Sequence, residues 1–166
     1  MNRNYVMIFK TSLDKPAKLI TAFVTLLFVV IIVTVFVMID ASQKEIKIIV
    51  PVVIVSIYVF TFFFAPKAYI VTSDALCVVR RINKKEIYKQ QIKSARVLNA
   101  NELQGTIRVF GVGGLFGYFG KFHQSNFGSL TLYATRRDRC VLLMTDDKKI
   151  IVTPDEPDEF IKALNV

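Results

Sequence analysis

The sequence predicts two N-terminal transmembrane helices followed by a mainly-β domain that ends in one C-terminal helix. Three observations predict it. Leu19–Ile39 and Ile48–Ala65 are apolar runs without a charged residue. At about 1.5 Å rise per residue, each is long enough to cross a hydrocarbon core of about 30 Å. After Pro66 the chain becomes a succession of short segments that alternate apolar and polar residues between turn residues, as antiparallel strands do. From Pro154 onward the period changes to that of a helix.

The average of 53% hydrophobic residues conceals these two parts. Residues 1–18 form a short basic segment, 19–65 the helical hairpin and 66–166 a domain large enough for one core. In residues 1–18, Tyr5–Phe9 reads as a short strand or a piece of interfacial helix. Asp14 and Pro16 read as helix-start signals. The first apolar run is too long for a signal peptide, whose apolar core spans about 7–15 residues, and it lacks a small-residue cleavage site. A second span follows at once. Pro51 is expected in the first turn of that span, where a missing N–H costs little. Tyr58 suits an interfacial anchor, and the phenylalanines around it suit lipid contact.

The flanking charges orient the hairpin. Arg3, Lys10, Lys15 and Lys18 precede it, and Lys67, Arg80, Arg81, Lys84 and Lys85 follow it. In the connecting segment Asp40 and Glu45 cancel Lys44 and Lys47. A Lys/Arg excess marks the cytoplasmic side, so a multi-pass membrane protein with both termini cytoplasmic is expected. Neither span carries an ionisable residue, which argues for an anchor over a transporter.

In the β domain, the segments 68–72, 76–79, 86–89, 92–98, 106–110, 129–135, 140–144 and 149–153 are strand-like, and a domain of about seven antiparallel strands is expected from them. Thr153 is placed as the N-cap of the final helix with Pro154 at its first position. Asp155, Glu156, Asp158 and Glu159 load its first turns, and Phe160, Ile161 and Leu164 form its apolar stripe. Cys77 and Cys140 lie in apolar strand-like runs and read as buried thiols rather than a disulfide.

The net charge is +9, of which six basic and three acidic side chains belong to 1–65 and the remaining sixteen and ten to 66–166. A basic domain beside a membrane suits an anionic lipid surface. No long basic helix, zinc spacing or RNA-binding aromatic motif accompanies the charge, so no nucleic acid is expected as a partner. Enzyme signatures are absent too. His123 is the only histidine, and the acids at 155–159 suit a helix start. No catalytic residue, metal, cofactor or small-molecule substrate is expected.

The segment Gly111–Gly120 concentrates five glycines and three aromatics. It lacks the Gly-Lys-Ser/Thr ending of a phosphate-binding loop. Two readings stay open. Leu115, Phe116, Tyr118 and Phe119, beside Lys121, can contact membrane or a partner. Alternatively, the glycines permit a turn that folds the aromatics onto their own domain. A second candidate surface is basic: Arg80, Arg81, Lys84 and Lys85 at one turn, with Arg136, Arg137 and Arg139 at another, suit lipid phosphates.

A run of strands capped by a C-terminal helix is the pleckstrin-homology plan. Arg108–Gly111, Gly113–Phe122 and Thr153–Phe160 carry a further resemblance, to the bacterial pleckstrin-homology-like domain proteins, many of which have a membrane hairpin ahead of the domain. The resemblance covers most of 66–166. It implies the bacterial cytoplasmic (inner) membrane as the location and a barrel or sandwich closed by the C-terminal helix, and it implies little about activity. Eukaryotic pleckstrin-homology domains grip phosphoinositides with basic residues around the loop joining their first two strands. Thr72–Ala75, the corresponding turn here, has none. The expected function is a membrane-anchored, non-catalytic binding or scaffolding module, with the lipid bilayer and a protein partner or a second copy as its contacts. The alternative is an accessory subunit of a membrane complex that acts mainly through its two helices.

Overall fold

The computed structural model describes residues 6–40 and 42–165. Helix α1 spans Lys15–Met38 and α2 spans Lys44–Phe64. Both are long and apolar enough to cross a membrane, and few of their residues are buried. Asp14 is the N-cap of α1, its carboxylate accepting the Ala17 N–H at 2.8 Å, with Pro16 in the first turn. Helix α2 begins four residues before the apolar run. Pro51 therefore lies inside the helix rather than in its first turn, which leaves the Lys47 carbonyl without an i+4 amide donor. The helices touch through Thr25 and Tyr58, whose hydroxyls are 3.0 Å apart.

Among the described residues the domain holds ten strands in two sheets, more than the roughly seven expected. Strands β1 (Met7–Lys10), β2 (Pro66–Val71), β3 (Ala75–Arg80) and β4 (Lys84–Tyr88) form an antiparallel sheet in that order. The strand β1 comes from the N-terminal segment and pairs Phe9 with Tyr69 although the two long helices separate them in sequence. Arg3 and Tyr5 lie outside the described residues.

The second sheet contains β5 (Ile92–Leu98), β6 (Ile107–Gly114), β7 (Gly117–Gln124), β8 (Gly128–Ala134), β9 (Cys140–Thr145) and β10 (Lys149–Val152). Their order is β5-β9-β10-β8-β7-β6. The pair β8–β10 is parallel, so the domain is not wholly antiparallel.

Burial on both faces explains the continuous apolar runs in β9 and β10. Val141, Leu143, Ile150 and Val152 join Phe9, Tyr69, Leu76 and Val78 in a core between the sheets, closed by α3 (Pro157–Leu164) through Phe160 and Leu164. Cys140, Leu142 and Ile151 face the other way, into a second core with Tyr118, Phe122, Leu130, Leu132 and Ala17. Cys77 and Cys140 are free, buried thiols, and burial pushes the Cys140 thiol up to about 12.

The start of α3 differs from the sequence expectation. Pro157 occupies the first turn, and the Glu156 side chain makes no capping bond. A residue before proline is biased away from helical backbone. Glu156 precedes Pro157, so a helix begun at Pro154 could not run through it. Thr153 is instead fully buried between the sheets. Its hydroxyl accepts the Thr135 N–H at 2.9 Å, its N–H donates to the Tyr69 hydroxyl at 3.0 Å, and its carbonyl accepts from the Thr11 hydroxyl at 2.6 Å. Asp155 also leaves the helix and accepts from the Ser12 hydroxyl at 2.7 Å and from Arg136 at 3.1 Å.

Candidate functional site

The glycine-aromatic segment is a β-hairpin rather than a loop. Strands β6 and β7 pair Gly111 with Gly120 and Gly114 with Gly117 around the two-residue turn Leu115-Phe116. At Gly111 and Gly120 the strands approach too closely for a Cβ, which would collide with the backbone of the facing strand. Gly114 serves a different contact. A Cβ there would stand 2.6 Å from Cδ1 of Ile20, so its absence lets the hairpin tip lie against α1.

The tip docks onto the helical hairpin of α1 and α2. Thr21 of α1 accepts the Phe116 N–H at 3.0 Å, and its hydroxyl lies 3.3 Å from the Gly114 carbonyl. The Phe116 ring meets Tyr58 at 5.0 Å and Phe62 at 5.3 Å, both edge-on, so it bridges to α2. Phe116 has φ of 58°, a left-handed conformation that costs a non-glycine residue about 1–2 kcal/mol. The hydrogen bond and the two ring contacts hold it there. Of the other members of the apolar candidate set, Leu115 is half-buried beside it, while Tyr118 and Phe119 are buried within the domain. These last two are not presented to a membrane or partner. Lys121 is exposed, with its ammonium 2.9 Å from the Thr131 hydroxyl.

A second joint lies at the start of α1. The Asp14 carboxylate, besides capping the helix, accepts the Arg137 N–H at 3.0 Å and faces the Tyr118 hydroxyl at 3.4 Å. Burial, then the Asp14 charge, push the Tyr118 phenol up. The Arg137 guanidinium stacks over the Tyr118 ring at 4.4 Å.

The basic candidates divide into tied and untied groups. Arg136 is held by Asp138, Asp155 and Ser12, and its bonds to Asp138 hold that carboxyl below the usual range. Arg139 donates to the Asp155 carbonyl at 2.8 Å. Arg80 is stacked between Phe64 and Tyr133, at 5.8 and 4.9 Å, with its Nε buried and without a hydrogen-bond partner. Arg81 closes the last turn of α2, donating to the Phe62 carbonyl at 3.0 Å and lying over its ring at 4.0 Å. Lys84, Lys85 and Arg137 are exposed and make no ion pair among the described residues. His123 is exposed on β7, away from both joints.

The two basic groups seen in the sequence therefore sit at the two feet of the helical hairpin. Arg81, Lys84 and Lys85 stand where α2 ends, and Arg137 stands with Lys15 and Lys18 where α1 begins. Sequence reasoning missed Thr21, Asp14 and Ile20 as docking residues. Only the pairing of glycine with glycine at positions 111 and 120 could have announced a hairpin there.

No curated protein and no solved structure matches the chain. The family model described as the bacterial PH domain matches residues 67–166, the same residues that build β2–β10 and α3, and the chain belongs to that family.

Proposed function

We propose that this chain is a membrane-anchored, non-catalytic binding module whose PH domain rests against the anionic cytoplasmic leaflet of the bacterial inner membrane. PH domains are in general binding modules. The carrying observation is the placement of exposed, unpaired cations at both points where the candidate spans meet the domain: Lys84 and Lys85 beside Arg81, and Arg137 beside Lys15 and Lys18. Each basic side chain near an anionic surface is worth about 1 kcal/mol. Ile82 is exposed at the tip of the β3–β4 turn, where it can enter the headgroup region. The near-neutral segment between the spans agrees with an orientation that leaves both termini in the cytoplasm.

The test uses the full chain in nanodiscs of phosphatidylcholine with and without phosphatidylglycerol. Amide exchange across Arg81–Lys85 is expected to slow about threefold or more when the anionic lipid is present. Lys84→Gln with Lys85→Gln should remove the difference. Equal exchange in the two bilayers sinks the reading.

A protein partner is favoured by a different feature. The edge strand β6 exposes Ile107, Val109 and Phe110 at 66%, 69% and 77%, and an exposed apolar edge is a template for strand addition. Val109→Lys should abolish a discrete photo-cross-link formed from position 110 in native membranes. A cross-link that survives the change rules this reading out.

A further inference from the structure

Beneath the Arg137–Tyr118 stack lies a cavity of about 210 Å³. Its floor is apolar and buried, formed by Phe122, Leu132, Ala134, Cys140 and Ile151. Its rim is exposed and polar, formed by Gln104, Gly105 and Arg137. An apolar cavity of about 150 Å³ admits benzene, so the apolar floor here has room for part of an alkyl chain.

The charges at the mouth select the rest of the guest. Arg136, which also lines the cavity, is saturated by Asp138, Asp155 and Ser12. The Asp14 carboxylate is engaged by the Ala17 and Arg137 amides and faces the Tyr118 hydroxyl. Arg137 is left with an exposed guanidinium that makes no ion pair among the described residues. It also borders an adjoining open groove that contains Lys15 and Lys18. Guanidinium binds carboxylate or phosphate through parallel N–H bonds. The groove lies within about one helical turn of Leu19, where the first apolar run begins. An amphiphile leaving the bilayer surface therefore meets the cations first and the apolar cavity behind them.

We propose that this cavity binds the alkyl chain of an anionic amphiphile, with its carboxylate or phosphate on Arg137, Lys15 and Lys18. A free fatty acid and the acyl chain of an anionic phospholipid share that chemistry. The inference rests on the proposed function only in placing the mouth beside a membrane.

The experiment uses the full chain in phosphatidylcholine nanodiscs and three photoreactive probes. One is octanoate with a diazirine near its methyl end. The second is a phosphatidylglycerol carrying the same eight-carbon chain. The third is the corresponding octanol. After irradiation, peptides are mapped by mass spectrometry, with labelling of the two spans as the internal standard. Carbene adducts on Phe122, Leu132, Ala134 or Ile151 are expected from at least one anionic probe. Labelling by octanoate alone identifies a free acyl anion, by the phospholipid alone a lipid chain, and by both a site for either. Arg137→Gln, an exposed change, should cut the adducts about fivefold or more, and octanol should label as weakly as that variant. Ala134→Leu, which fills the cavity, should remove them. Should Ala134→Leu fail to fold, Arg137→Gln decides. Adducts confined to the spans with both anionic probes, or labelling by octanol equal to that of the stronger anionic probe, overturn the proposal. Such a result leaves the exchange difference at Arg81–Lys85 untouched, so the two failures are distinguishable.

Discussion

The Phe116 N–H donates to the hydroxyl of Thr21 at 3.0 Å, which ties the tip of the β6–β7 hairpin to the second turn of α1. With the ring contacts to Tyr58 and Phe62, this bond joins the β domain to both helices at once. The domain is thus a body seated on the helix pair rather than a bead on a tether.

The strain at Phe116 gives an unusual order of substitution effects. Phe116→Ala loses the ring contacts and keeps the unfavourable φ of 58°. Phe116→Gly loses the same contacts and relieves the backbone. Both should destabilise, by about 2 kcal/mol for alanine and about 1 kcal/mol less for glycine. Thermal unfolding of the full chain in detergent measures this. An alanine variant more stable than the glycine one would show that the turn is unstrained.

Thr153 is a buried node, and the prediction follows from what it satisfies. Thr153→Val keeps the shape but leaves the Thr135 N–H without its acceptor. The expected loss is about 1–3 kcal/mol. Thr153→Ser retains the hydroxyl and should lose much less. Urea midpoints of the three proteins, followed by near-ultraviolet dichroism, separate the hydroxyl from the methyl.

Phe9 should be essential to the domain although both long helices separate it from β2. Its ring is 4% exposed and meets Phe160 edge-on at 5.3 Å. Phe9→Ala is expected to cost about 3–5 kcal/mol. A chain begun at residue 66 should show a comparable loss, and adding a peptide of residues 6–12 should recover part of it. Unchanged stability in both cases would remove β1 from the fold.

Two buried acids predict alkaline sensitivity. Burial raises the Tyr69 phenol from 10.0 to about 12 and the Cys140 thiol from 9.0 to about 12. Each group holds its proton more tightly folded than unfolded. Above the unfolded values the unfolded chain binds fewer protons, so stability falls as pH rises. The contribution is complete below about pH 9 and is lost on the way to about pH 12. Melting temperatures between these limits should fall steadily, and Cys140→Ala should make the fall above about pH 9 shallower, the Cys77 thiol, also raised by burial, keeping part of it. A fall of unchanged steepness would exclude the Cys140 thiol.

The spans, the β class of the domain and the buried thiols were legible because each rests on a local pattern of period or composition. The glycine-aromatic segment was legible as special but not as a hairpin, because its strands lack the alternating apolar side chains that announce one. The start of α3 was misplaced by three residues, because two prolines competed for the first position. The restriction that Pro157 imposes on Glu156 decided between them.

By itself the sequence determined that the chain has two spans long and apolar enough for a membrane, a strand-rich domain behind them and a basic balance around the junction. These follow from hydropathy and spacing, which act over a few residues. Tertiary structure alone decided that Phe9 completes a sheet begun at residue 66, that Phe116 turns onto Tyr58 and Phe62, and that Arg137 rather than Arg136 is left uncommitted over a cavity. Each of these depends on which distant side chains share a hydrogen bond or a packed surface. Only the folded chain fixes that choice, since burial and pairing are properties of the assembled neighbours and not of any residue's own type.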